Sequence, residues 1–188
     1  MKCTIFTLIL VSTISCLYSV HGHVLLNHVV VEYEIYTDAV TWDEAIQRCE
    51  SENGQLARIP DKRTDDLLRD YIYYSGANNS VETGFWIGLN DRATENTFVW
   101  LNGGPVCYTN WAKDEPNNNT KRNAAEGQDC AQLRKSRDFK WDDEYCNDIR
   151  TKGYICEKQF ATSVILVRSS TPITQPTYCD NPMTIGLH

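Results

Sequence analysis

The stretch Trp111-Ala112-Lys113-Asp114-Glu115-Pro116-Asn117-Asn118 lies inside a run, residues 102–129, that is dense in Gly, Asn, Asp and Pro. No sustained apolar periodicity crosses it, so its composition predicts turns rather than a helix or a strand. A structureless connection of that length inside a compact domain needs a reason, and function or a bound ion is the usual one. The chain on either side reads as short strands. Phe85-Trp86-Ile87-Gly88-Leu89 and Phe98-Val99-Trp100-Leu101 precede the run. Cys130-Ala131-Gln132-Leu133, Phe139-Lys140-Trp141 and Gly153-Tyr154-Ile155-Cys156 follow it.

Further upstream, Val29-Val30-Val31-Glu32-Tyr33-Glu34-Ile35-Tyr36 predicts a strand. A helix follows, with Thr41 as its cap and Glu44 three residues on as the second half of a capping box. Trp42, Ala45, Ile46 and Cys49 share one of its faces, and Gly54 ends it. A second helix is predicted from about Arg63 to Tyr73, with Leu67, Leu68, Tyr71 and Ile72 inward. Two helices first and short strands afterwards make an α+β pattern.

The chain has 188 residues, which is a prior of one domain. With 18 Lys+Arg against 25 Asp+Glu it is acidic, and no basic stripe with interleaved aromatics marks a nucleic-acid partner. Residues 1–22 read as a secretory signal: Lys2 is the positive start, and Ile5 to Val20 is mostly apolar without a charge. That run is too short to span a bilayer comfortably, and Ser163 to Val167 is shorter still, so no membrane insertion is expected. Cleavage after Gly22 would leave a secreted, extracellular domain at 23–160. A Ser/Thr/Pro-rich tail at 161–188 follows, whose composition buries little apolar area. Cys3 and Cys16 fall in the signal. The remaining Cys49, Cys107, Cys130, Cys146, Cys156 and Cys179 form an even set that, in an exported chain, reads as disulfides. A zinc cluster is disfavoured, because no histidine lies between His28 and His188.

Four stretches in or beside the long loop supply oxygen ligands: Asn90-Asp91 with Glu95, Glu115-Pro116-Asn117-Asn118, Gln128-Asp129, and Asp142-Asp143. Calcium takes six to eight oxygens, carboxylate and carbonyl together. Each stretch alone also fits ordinary turn chemistry.

In their order and joint spacing these pieces resemble the C-type lectin family from Tyr33 to Lys158. The matching marks are Trp42-Asp43-Glu44-Ala45 before Cys49, Gly54-Gln55-Leu56-Ala57, Trp86-Ile87-Gly88-Leu89, Trp111, Glu115-Pro116-Asn117, Cys130, Trp141-Asp142-Asp143, Cys146 and Tyr154-Ile155-Cys156. The resemblance implies the C-type lectin-like fold, with two helices, two small antiparallel sheets and a long calcium-binding loop. It implies disulfides Cys49–Cys156 and Cys130–Cys146, and places Trp86, Trp100 and Trp111 in the core. Cys107 and Cys179 fall outside the family core. They either pair with each other, or Cys179 links two chains into a homodimer.

The resemblance also implies a principal Ca2+ site at Glu115, Asn117, Gln128, Asp142 and Asp143. In the family, two neighbouring sugar hydroxyls bind the same ion, each giving a proton to a carboxylate and accepting one from an amide. Here Glu115 and Asn117 match the first such pair. Gln128 stands where the family usually has Glu, and Asp142 where it usually has Asn, so acid and amide are exchanged in the second pair. Glu-Pro-Asn implies mannose- or fucose-type sugars, while the exchange keeps galactose-type sugars in contention. An accessory calcium site is implied at Asp91, Glu95, Asn118 and Asp129. Asn78-Asn79-Ser80 and Asn118-Asn119-Thr120 are glycosylation sequons. Asn78 is the expected acceptor, and Asn118 cannot be both glycosylated and a ligand.

The function expected is therefore a lectin of the kind used by invertebrates in innate immunity. The alternative is a lectin-like domain that binds a protein or another non-sugar ligand, with calcium structural or absent. Catalysis is disfavoured, because no histidine is available as a base and no Ser/His or Cys/His arrangement can form.

Overall fold

The computed structural model describes the backbone of residues 5–12, 18–20, 23–121, 127–148, 150 and 152–168, and the side chains of residues 30–121, 127–148, 150 and 152–160. Helix α1 spans Trp42–Ser51 and α2 spans Lys62–Tyr74. The strands are β1 (Ile5–Ser12), β2 (Tyr18–Val20), β3 (His23–Tyr36), β4 (Gln55–Leu56), β5 (Gly84–Asn90), β6 (Val99–Trp100), β7 (Cys130–Arg134), β8 (Lys140–Glu144) and β9 (Lys152–Arg168).

Both halves of the capping box form: the Glu44 N–H donates to Thr41 Oγ1 at 3.2 Å and the Thr41 N–H donates to Glu44 Oε2 at 2.9 Å. Trp42, Ala45 and Cys49 are buried, as their shared face predicts. Helix α2 starts one residue earlier than the apolar pattern suggests, because Asp61 caps it by accepting the Thr64 N–H. Leu68 and Ile72 are buried on α2, and so is the charged Asp65. Asp65 is tolerated there because its carboxylate accepts from Trp141 Nε1 and Asn110 Nδ2, each at 2.7 Å.

The sheet runs in the order β1-β3-β9-β5-β7-β8, with β2, β4 and β6 pairing at β3, β9 and β5. It consists of two antiparallel groups joined by a short parallel pairing of β5 with β9, from Gly84↔Lys152 to Trp86↔Tyr154. At this junction Gly153 is required, since a Cβ there would lie 2.2 Å from the Tyr36 carbonyl oxygen. Two expectations shift in extent. β3 begins at His23 rather than near Val29, and β9 runs on to Arg168, beyond residue 160. The paired ladder between them, Val29↔Ala161 back to His23↔Arg168, explains both extensions, because each strand gives the other its hydrogen-bond partners. β1 and β2, within residues 1–22, pair on β3 as well.

The core has two parts. One packs α2 and the strands around Ile35, Leu68, Phe85, Ile87, Trp100, Leu133, Phe139 and Trp141. The other holds α1 through Trp42, Ala45, Leu56, Trp86 and the half-cystines Cys49, Cys130 and Cys156. Two of the buried indoles find carbonyl acceptors: Trp42 Nε1 donates to the Ile87 carbonyl and Trp86 Nε1 to the Val40 carbonyl, each at 2.9 Å. Trp86 and Trp100 are buried as expected, and Trp111 is partly buried against the first cluster. Disulfides Cys49–Cys156 and Cys130–Cys146 are both present. Cys107 also carries a disulfide bond, while Cys179, expected either to pair with it or to link two chains, lies outside the described residues.

Candidate metal and ligand site

Trp141 is the post on which the long loop hangs. Its ring meets Trp100, Tyr108 and Trp111 edge-on, with centroids 5.7 to 5.8 Å away. Its backbone N–H donates to the Asn110 carbonyl at 2.9 Å, and its carbonyl accepts the Ala112 N–H at 2.7 Å. These contacts fix where the loop enters the segment Asp114–Asn118. There the Glu115-Pro116 bond is cis, and Asp114 and Asn118 adopt positive φ of 66° and 42°. Asp and Asn tolerate that left-handed region better than other side chains do.

The next residues of β8 then reach into the loop. The buried Asp143 carboxylate accepts the Asn117 N–H (Oδ1, 3.0 Å) and the Asn118 N–H (Oδ2, 2.6 Å). Asn117 Nδ2 donates to Glu115 Oε2. The Gln128 N–H donates to Asn118 Oδ1 at 2.9 Å, and Gln128 Oε1 accepts the Asn119 N–H at 3.0 Å. Four of the five residues expected at the principal site are thus joined through the loop backbone. The fifth, Asp142, is buried, and its charge acts on Glu115.

Both members of the second, exchanged pair already have partners. Asp142 Oδ1 accepts from Arg134 Nη1 at 2.7 Å and Oδ2 from Gln132 Nε2 at 2.6 Å. Gln128 Nε2 donates to Glu144 Oε1 at 3.1 Å. Gln132 and Arg134 were not singled out by the sequence. The two-residue period of a strand puts 132 and 134 on one face, but which strand faces them is a matter of register. β7 pairs with β8 so that Gln132 stands opposite Asp142 and Cys130 opposite Glu144.

Three of the four accessory residues, Asp91, Glu95 and Asp129, lie near one another. The Asp91 N–H donates to the Asp129 carbonyl at 3.1 Å, and Asp91 Oδ2 accepts the Asn96 N–H at 2.8 Å. Asp91 Oδ1 is buried without a hydrogen-bond partner among the described residues. Glu95 is exposed near it.

The electrostatics of this cluster are strained in one direction. Burial pushes the Glu115 carboxyl up to about 8, and the neighbouring Asp142 and Asp143 add to the rise. Burial likewise raises Asp143, against the pull of the Asn117 and Asn118 N–H groups. Asp91 is pushed up to about 7, first by burial and then by the charges of Glu95, Asp129 and Asp143. Crowded, partly buried carboxylates whose protons are held this tightly form a site short of positive charge. Among the described residues no group of three or more His, Cys, Asp or Glu side chains stands in ready-made metal geometry. A cleft of about 310 Å³ is lined by Asp43, Arg92, Gly127, Asp129, Tyr145, Cys146 and Asn147; of the expected ligands, Asp129 alone borders it.

Comparison with known proteins places this geometry. The sequence profile of the Lectin C-type domain matches residues 38–158. The chain is 36% identical over 134 residues to C-type lectin lectoxin-Phi1 of Philodryas olfersii, covering 70% of this chain and 79% of that one. It is 31% identical over 131 residues to the alpha-N-acetylgalactosamine-specific lectin of Patiria pectinifera, covering 66% and 72%. Against the low affinity immunoglobulin epsilon Fc receptor of Mus musculus, 31% identity extends over 75% of this chain but spans only 38% of the receptor. In structure it resembles the carbohydrate-recognition domain of cow CD23, solved in the presence of a GlcNAc2Man3 oligosaccharide. The TM-score is 0.56 at 26% identity, covering 76% of this chain and 97% of that one. These relatives are lectins and receptors, not enzymes. No helix among the described residues is long and apolar enough to cross a membrane. With the family profile matched over most of the domain and the fold shared, the chain belongs to the C-type lectin domain family.

Proposed function

We propose that this chain is a secreted, calcium-dependent sugar-binding domain, released by removal of residues 1–22 and active at the surfaces of cells or microbes. The observation that carries this reading is the convergence of Glu115, Asn117, Asp142 and Asp143 on one loop, with the Glu115 carboxyl pushed up to about 8 by burial and its acidic neighbours. Such a donor set fits a hard divalent cation with oxygen ligands. Glu115, Asn117, Gln128, Asp142 and Asp143 would hold Ca2+, which would neutralise the carboxylates and offer open positions to two adjacent sugar hydroxyls.

Glu115 and Asn117 would then accept from and donate to the first hydroxyl. For the second, Asp142 and Gln128 supply the acceptor and the donor, each sharing its present partner. Mannose- or fucose-type sugars are the first candidates and galactose-type sugars the second, because acid and amide are exchanged in this second pair only. The orphaned Asp91 Oδ1 favours a further calcium at Asp91, Glu95, Asn118 and Asp129. Asn118 would act there as a ligand and carry no glycan; its Oδ1 accepts the Gln128 N–H in the metal-free fold. Single shallow sites bind weakly, so useful avidity needs several domains together, and Cys179 offers a route to a dimer.

Retention on mannose or galactose resin with release by EDTA tests the proposal, alongside a glycan array read with and without calcium. Retention that EDTA does not disturb would point to a protein or other non-sugar ligand. Calorimetry with no calcium uptake by the folded chain would overturn the metal assignment.

A further inference from the structure

Gln128 is held at both ends of its amide. Its Oε1 accepts the Asn119 N–H at 3.0 Å, and its Nε2 donates to Glu144 Oε1 at 3.1 Å. A flip of the amide would set Nε2 against a backbone donor and Oε1 against a carboxylate, so both contacts oppose it. A glutamate at the same place would keep the first contact and bring two carboxylates together at the second. Of the two isosteres, the amide alone satisfies both neighbours.

Glu144 is fixed in turn. It is buried, Oε1 also accepts the Tyr145 N–H at 3.0 Å, and Oε2 accepts from Arg150 Nη2 at 2.7 Å, with Lys152 Nζ 3.9 Å away. The buried Asp148 carboxylate meets the same two cations, Arg150 Nε at 2.9 Å and Lys152 Nζ at 3.0 Å. Lys152 is fully buried, and its ammonium lies 3.9 Å from the centroid of the Trp86 ring. Two acids and two bases thus form a network largely out of water, where charges persist only when paired. Its side-chain link to the candidate sugar site is the Glu144–Gln128 hydrogen bond.

We propose that Glu144 is a positioning residue for sugar recognition: it holds the Gln128 amide in one orientation, while Arg150, Asp148 and Lys152 hold Glu144. One Nε2 hydrogen goes to Glu144, and the other serves a sugar hydroxyl. Gln at 128, where the resemblance leads to Glu, then follows from the carboxylate behind it. Residue 144 sets sugar preference without touching the sugar. This inference rests on the calcium-dependent sugar-binding reading and names what orients its second hydroxyl pair.

The test uses the full chain as wild type, Gln128→Glu, Glu144→Gln and the double variant. Glu144→Gln keeps the shape of the side chain and removes its charge, and the amide it introduces accepts either orientation of Gln128. In metal-free protein, Gln128→Glu should lower the folding equilibrium constant about tenfold in the wild-type background and several-fold less in the Glu144→Gln background, read by urea unfolding. Side-chain amide hydrogen exchange of Gln128, followed by NMR, should be about tenfold faster in Glu144→Gln than in the wild type, and this readout stands even where Gln128→Glu does not fold. In calcium, Glu144→Gln should retain metal uptake by calorimetry while the ratio of affinities for methyl mannoside and methyl galactoside moves several-fold toward one. An equal cost of Gln128→Glu in both backgrounds, unchanged Gln128 exchange, or an unchanged sugar ratio with calcium bound overturns the positioning role and leaves the lectin reading standing. Failure of the wild type to bind either sugar in calcium overturns both.

Discussion

Protons and calcium compete for the same carboxylates, and the structure sets where that competition falls. The Glu115 carboxyl, raised from 4.5 to about 8, keeps its proton in the metal-free folded protein throughout the neutral range. In the unfolded chain it ionises at its ordinary value. The metal-free fold therefore binds more protons than the unfolded chain between pH 4.5 and about 8. Its stability falls as pH rises through that window. Calcium ligation requires the ionised form, so calcium must displace the proton, and calcium affinity rises with pH until about 8 and is level above it. One displaced proton changes the apparent affinity by at most about tenfold per pH unit. Glu115 is half-buried, and solvent screening lowers this ceiling. An increase of at least roughly tenfold between about pH 5.5 and 7.5 is still expected. Asp91, raised to about 7, imposes the same direction on the accessory site below that pH. Calorimetric calcium titrations at several pH values, in buffers of different protonation enthalpy, read both the affinity and the protons released. Glu115→Gln should weaken binding and flatten the profile. Affinity independent of pH, with no proton release in the wild type, would refute this account of the site.

Other perturbations probe the scaffold. Asp65→Ala leaves the Trp141 indole and the Asn110 amide without their acceptor, and should cost about 2–4 kcal/mol in urea unfolding while also lowering calcium affinity. Asp143→Ala removes the acceptor for the Asn117 and Asn118 N–H groups, and should abolish calcium uptake at a stability cost of about 2 kcal/mol. Replacing Cys130 and Cys146 together by Ser opens a bond spanning 16 residues. That should lower stability by about 3 kcal/mol, read as an earlier thermal midpoint. A Cβ at Gly127 would lie 1.8 Å from Asn118 Oδ1, so Gly127→Ala should displace Asn118 and reduce calcium affinity with little loss of helix signal.

Much of this fold was legible because its signals are local. The Thr41/Glu44 capping box and the apolar face of α1 depend on residues within one or two turns, and both formed as read. The family marks spaced from Trp42 to Cys156 implied the two disulfides, and both are present. Asp65 was harder to foresee. On α2 it looks like any polar residue, and its burial depends on two partners, Asn110 and Trp141, that lie 45 and 76 residues away. The limits of β3 and β9 were underestimated for a similar reason, since each extends only because the other supplies a ladder.

The candidate site divides along the same line. Glu115, Asn117, Gln128, Asp142 and Asp143 were named because the order and spacing of the motifs resemble the C-type lectin family; residue type alone left each stretch open to ordinary turn chemistry. Their present partners came only with tertiary structure. Strand alternation tells which residues share a face, but the pairing of β7 with β8 decides that Asp142 meets Gln132 and Arg134, and that Gln128 meets Glu144. Register is a long-range property, set by how two strands bury their common face, and the contact of Arg134 with Asp142 is a consequence of it.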